Sequence, residues 1–165
     1  MLRFLTPRNV FLAVFLGTTG LIGFGLVLQN IAHIEPCPMC IMQRYAFAVA
    51  GLISFMAFVH NPAGLGRKVY GALLLLAALA GGGVAARQSW IQHFPPKIMD
   101  CGPDLDFMVN SFPLGEALPM IFQGAGDCSK VDWRFLGLSI AEWAFFCFAA
   151  ILMAGIYQLL AKRKA

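Results

Sequence analysis

Four long apolar runs, separated by short or irregular polar stretches, set the pattern of this sequence. Residues 10–28 carry no charge. At about 1.5 Å per residue, such a run nearly crosses a hydrocarbon core of about 30 Å. A second run, 40–59, is interrupted only by Arg44; a third covers 69–87 and a fourth 140–161. Each is expected to be a membrane-spanning helix. The first is too long for the apolar region of a signal peptide, and Gln29-Asn30-Ile31-Ala32-His33 makes a poor cleavage site. Gly17, Gly20, Gly23 and Gly25, and the triplet Gly81-Gly82-Gly83, predict close helix–helix approaches on the first and third spans.

Segment 88–139 breaks the pattern. It holds Pro95-Pro96, Cys101-Gly102-Pro103, Pro113, Pro119 and Gly124-Ala125-Gly126-Asp127-Cys128. Turn formers dominate and no helical period persists. The expectation is an all-α membrane protein: one domain, residues 1–165, forming a bundle of four transmembrane helices. A short loop, 29–39, joins the first two spans, and a long irregular loop, 88–139, lies between the third and fourth. Loops of that length are usually functional. The apolar middle, 114–122, is expected to rest on the membrane surface. No internal repeat stands out.

Charge orients the bundle. With both termini cytoplasmic, the inward segments hold Arg3, Arg8, Arg67, Lys68, Lys162, Arg163 and Lys164 and no acid, while all Asp and Glu residues fall outside. That asymmetry follows the positive-inside rule. Composition agrees with a membrane protein: 12% of residues are charged, against about 25% in soluble domains. The net charge of +4 gathers on no basic face, so nucleic acid is not an expected partner; the lipid bilayer is.

The chemistry lies in cysteine. Of five, Cys37, Cys40, Cys101 and Cys128 sit in outward segments or at a span edge, and Cys147 lies inside a span. In a bacterium the outward side is the oxidising compartment where disulfides persist. Pro38 suits a first helical position, which puts Cys37 at the N-cap and Cys40 in the first turn. Residues three apart on a helix have Cβ atoms about 5–6 Å apart, close to disulfide reach. A helix N-terminus favours negative charge, and the thiolate is the reactive form of cysteine. Arg44, one turn below Cys40, adds a fixed positive charge; as a bland alternative it is a headgroup anchor. Together these are the chemistry of a redox dithiol, because so small a ring staples nothing. For Cys101 and Cys128 two readings stay open. Closing 28 residues could staple the long loop by about 3–4 kcal/mol, or the two could form a second redox pair. His33 and His93 also face outward, but lone loop histidines are more often interfacial residues, and no metal site is assigned. Cys147 reads as inert packing.

With these residues in view, the chain resembles the disulfide bond formation protein B (DsbB) family over nearly its whole length. The resemblance is carried by Pro36-Cys37-x-x-Cys40 with Arg44, Ile91-Gln92-His93-Phe94-Pro95 before Cys101, Gly126-Asp127-Cys128, and Trp133-x-Phe135-Leu136-Gly137-Leu138. It implies a protein-dithiol:quinone oxidoreductase of the bacterial inner membrane that reoxidises a periplasmic DsbA-like thioredoxin-fold oxidase. It also implies a disulfide Cys101–Cys128 attacked by that partner at Cys101, exchange of Cys128 with Cys37, and Cys40 facing a ubiquinone or menaquinone beside Arg44. Some members have a histidine where this chain has Gln88; an amide there can bond a quinone carbonyl but supplies no imidazolium proton. The alternatives are a vitamin K epoxide reductase-like enzyme, whose Cys-x-x-Cys comes late in the chain, and a metal-handling or purely structural membrane protein stapled by disulfides.

Overall fold

The computed structural model describes residues 6–31, 36–95, 128, 131 and 133–161. Cys101 and the 114–122 stretch lie outside these residues, as do the chain ends. Four helices carry the fold, each long and apolar enough to cross a membrane.

Helix α1 is Pro7–Ile31. Thr6 caps it, its Oγ1 accepting the Asn9 N–H at 3.3 Å, and Pro7 occupies the position where a missing N–H costs nothing. Helix α2, Pro38–His60, starts in the same way, with Cys37 at the N-cap in extended conformation and Pro38 following. It ends at Asn61 in the left-handed region, φ 45°, a conformation asparagine tolerates at helix C-termini.

Helix α3, Leu65–His93, has 29 residues and is about 43 Å long at 1.5 Å per residue. It overruns the predicted 69–87 at both ends. Hydropathy cuts a span at its first polar residues, here Arg67-Lys68 and Arg87-Gln88, whereas the backbone stays helical until Pro95-Pro96 disfavours it. Gln88 is therefore helical and does not belong to a loop.

A second difference is a short antiparallel hairpin in the segment predicted to be irregular. Strands β1, Arg134–Phe135, and β2, Leu138–Ser139, pair with Phe135 opposite Leu138. The connecting residues Leu136 and Gly137 both have positive φ, 54° and 82°, as the tightest hairpin turn demands. Helix α4, Ile140–Leu160, follows at once through a capping box: Ser139 Oγ accepts the Glu142 N–H, and the Glu142 carboxylate accepts the Ser139 N–H at 2.6 Å.

The helices alternate in direction. At one end the Pro7 carbonyl of α1 accepts from Gln158 of α4, His60 of α2 meets Tyr70 of α3 at 2.6 Å, and Arg67 donates to the Ala161 carbonyl. Cys37, Gln88 and Ser139 gather at the other end. Small residues bring α3 and α4 together. A Cβ on Gly71 would lie 3.3 Å from the Gly155 carbonyl, and one on Gly155 would lie 2.9 Å from Leu75, so here the backbones nearly touch. Gly81 leaves room for the Phe148 ring, which stacks on Phe47 of α2 with centroids 4.0 Å apart. Phe11, Leu74, Ala78 and Ile151 complete this core.

The predicted glycine contact on the first span does not form. Added Cβ atoms at Gly17, Gly20 and Gly23 would meet nothing within 4 Å, and only Gly25 has a close neighbour, the Arg44 guanidinium. Among the described residues of α1, Phe11 and Thr18 alone are buried. Among the described residues, no helix stands against Gly17, Gly20 or Gly23.

Candidate functional site

The start of α2 builds the site. Cys37, held at the N-cap, accepts the Cys40 backbone N–H at 3.4 Å. The cap turns both sulfurs to the same side, and the Cys37 thiol donates to Cys40 Sγ at 3.0 Å. Cys128, from the distant loop, is fully buried beside them and hydrogen-bonds Cys37. Three of the four cysteines expected to face outward therefore meet at one point.

The proton is not shared evenly. Hydrogen bonds to Cys128 first and to Cys40 second, with burial adding to them, push the Cys37 thiol far above the ordinary cysteine range. Cys37 holds its proton and donates it toward Cys40.

Gln88 approaches from α3. Its side-chain amide donates to Cys37 Sγ at 3.3 Å and to Cys40 Sγ at 3.1 Å. Gln43, one position before Arg44, donates to the Gln88 carbonyl oxygen at 2.7 Å. Nothing in the motif reading pointed to Gln43. Its signal was available, since a polar side chain within a membrane span is a functional candidate by default.

Arg44 turns toward α1. Its guanidinium donates to Gln29 Oε1 at 2.7 Å and to the Gly25 carbonyl at 3.1 Å. The bare Gly25 surface lets it lie close. Gln29, predicted as the first loop residue, is thus a helical partner that fixes this charge.

Beside the dithiol opens a cavity of about 580 Å³, within the range of small-molecule sites. Phe24, Gly25 and Gln29 form its α1 wall; Cys40, Gln43 and Arg44 its α2 wall; Gln88 and Gln92 its α3 wall. Trp133, just before the hairpin, Phe135 within it and Trp143 of α4 close it with aromatic surface. The hairpin is tied down on both sides: Trp143 Nε1 donates to the Phe135 carbonyl at 3.1 Å, and Trp133 meets Phe24 edge-on. Ser139 Oγ donates to Gln92 Oε1 at 2.7 Å. Cys147, expected to be inert packing, is half-buried and lines the same cavity. His93 is exposed and lies 3.7 Å from Glu142, while Cys101 and His33 fall outside the described residues.

A dithiol at the mouth of a membrane helix, touching a third cysteine from a separate segment, defines a membrane thiol–disulfide oxidoreductase. Comparison with known proteins makes the class specific. Residues 7–158 match the family model described as disulfide bond formation protein DsbB. Proteins named Disulfide bond formation protein B are 58% identical over 160 residues in Azoarcus sp. (strain BH72), covering 95% of this chain and 96% of that relative. One in Aromatoleum aromaticum is 56% identical over 158 residues, covering 96% and 95%. The chain belongs to the DsbB family, and its role is that of a disulfide-forming oxidoreductase in a membrane.

Proposed function

We propose that the chain reoxidises a periplasmic DsbA-like thioredoxin-fold oxidase and passes the electrons to a membrane quinone, ubiquinone or menaquinone, from the periplasmic face of the bacterial inner membrane. The observation that carries this reading is the juxtaposition of Cys40 and Arg44 on the wall of the aromatic-lined cavity, on the dithiol's own side.

Exchange would run from the loop inward. A partner thiolate attacks the Cys101–Cys128 disulfide at Cys101, giving a mixed disulfide and releasing Cys128. The partner's second thiol then expels Cys101 and leaves oxidised. Cys128, beside Cys37, attacks the Cys37–Cys40 disulfide, and Cys40 leaves as the thiolate. Cys101 displaces Cys37 from Cys128, restoring the first disulfide, and the reduced Cys37–Cys40 pair holds two electrons. A quinone accepts two electrons and two protons, which balances the return of that pair to the disulfide. Arg44 and Gln88 line the space that would take the quinone ring. A guanidinium there favours negative charge both on Cys40 and on a ring being reduced. Cys37, holding its proton, is the group placed to release one as the disulfide re-forms.

Purified protein mixed with a reduced DsbA-like partner and a soluble ubiquinone should bleach the quinone absorbance in step with loss of partner thiols. Thiol loss without bleaching would overturn the quinone assignment. In the same assay Arg44→Leu should raise the quinone KM about tenfold, roughly the loss of one charge-assisted contact. Stoichiometric exchange with the partner in the absence of quinone should stay near wild type. Arg44→Lys keeps the charge without the planar fork and should restore part of the loss. Unchanged quinone kinetics in Arg44→Leu would reduce Arg44 to a tether for α1.

A further inference from the structure

Gln43 and Gln88 form an arrangement that the exchange steps leave unused. Gln88 points its amide nitrogen at both sulfurs, 3.3 Å from Cys37 and 3.1 Å from Cys40. A side-chain amide has two ends of nearly equal shape. Turned over, Gln88 would aim oxygen lone pairs at the same sulfurs and repel a thiolate. The 2.7 Å bond from Gln43 Nε2 to Gln88 Oε1 opposes that rotation, since a flip would set one NH₂ group against another. Both glutamines are almost completely buried, at 4% and 3% exposure, so water is not at hand to compensate a flipped amide.

We infer that Gln43 is a positioning residue: it locks the Gln88 amide with its N–H bonds on the Cys37–Cys40 sulfurs, and this uncharged clamp makes the dithiol more oxidising. Reduction of the pair takes two electrons and turns weakly accepting disulfide sulfurs into two thiols, with uptake of two protons, or into a thiol and a thiolate, with uptake of one. Donors aimed at sulfur stabilise the anionic product most. The clamp therefore favours the reduced form, which is what a higher reduction potential means. Gln43 reaches the sulfurs only through Gln88. The inference rests on the dithiol being a redox pair and is independent of quinone being the acceptor.

The test is the redox equilibrium of the full-length purified protein, stripped of quinone, in graded dithiothreitol buffers. The state of Cys37 and Cys40 is read by differential alkylation and peptide mass spectrometry. Gln88→Met, of similar shape without donors, should lower the equilibrium constant for reduction about tenfold, equivalent to about 30 mV for this two-electron couple. Gln43→Met leaves the Gln88 amide in place but free to turn and should lower it about threefold. The double variant should match Gln88→Met alone, because a residue acting through another adds nothing once that other is gone. A constant within about twofold of wild type in Gln88→Met overturns the clamp, and an undiminished Gln43 effect in the Gln88→Met background overturns the positioning role. Where Gln88→Met does not accumulate, Gln43→Met decides alone, with a threefold fall supporting the clamp and no change overturning it. Failure of the quinone assignment would appear as absent bleaching in the earlier assay and would leave this equilibrium untouched.

Discussion

Replacing Cys40 with serine should stop turnover and lock the enzyme at a defined step. Cys128 lies against Cys37, so the two can join, but no second sulfur of the pair remains to close the dithiol or deliver electrons. Turnover of reduced partner should fall by roughly 10³-fold or more, the scale on which loss of a nucleophile acts. Under oxidising conditions a Cys37–Cys128 disulfide should accumulate, visible by peptide mapping without reductant. Cys37→Ser should give the same loss of turnover without that species. If Cys40→Ser turned over within about tenfold of wild type, electrons would have to leave by a route that avoids this dithiol. Cys147, which lines the same cavity, would be the next sulfur to remove.

The largest expected effect on stability is at Gly81. An added Cβ would enter the Phe148 ring and lie 2.8 Å from Ala46 Cβ. Phe148 cannot retreat, because it is 1% exposed and stacked on Phe47. Overpacking of this kind costs about 1–3 kcal/mol. For a chain of this size that corresponds to a fall of roughly 3–10 °C in the unfolding midpoint of Gly81→Ala, with Gly81→Val falling further. Gly83 is the internal control. On the same helix, its added Cβ meets nothing within 4 Å, so Gly83→Ala should be neutral or gain up to about 1 kcal/mol from helix propensity. Thermal unfolding in detergent, followed by circular dichroism, separates the two. Equal midpoints would mean that the α3–α4 seam yields more easily than its packing indicates.

The four helices were legible because hydropathy reports the requirement that lipid places on a spanning segment. The cap was legible too: Cys37-Pro38 reads locally as a helix start, and the two sulfurs then follow from helical geometry. What a sequence pattern could not reveal is which faces oppose each other. The glycines of α1 and of α3 both read as surfaces for close approach, yet added Cβ atoms at Gly17, Gly20 and Gly23 would meet nothing within 4 Å, whereas one at Gly81 would run into Phe148 and Ala46. Gln43 and Gln88 are 45 residues apart in sequence, and no periodicity announces a bond between two amides on different helices. The hairpin escaped notice because its strands have two residues each, too short for alternation to register among so many turn formers. Its Leu136-Gly137 turn was the only local mark. Gln29 was misassigned because a polar residue at the end of an apolar run reads as the beginning of a loop, when here it extends α1 to meet Arg44.

The place of Cys40 along its helix bears on energetics at the scale of the whole membrane. It is the third residue of α2, about 3 Å along the axis from the first, and the cavity opens at that same end. On the proposed reading, electrons and protons change hands at one face of the bilayer. No net charge then traverses the hydrocarbon core, where each elementary charge would feel about 2.3 kcal/mol per 100 mV of membrane potential. The reaction would be electrically silent. An energised membrane would neither drive nor oppose it, and its electrons would leave the site in a neutral quinol, free to diffuse within the lipid.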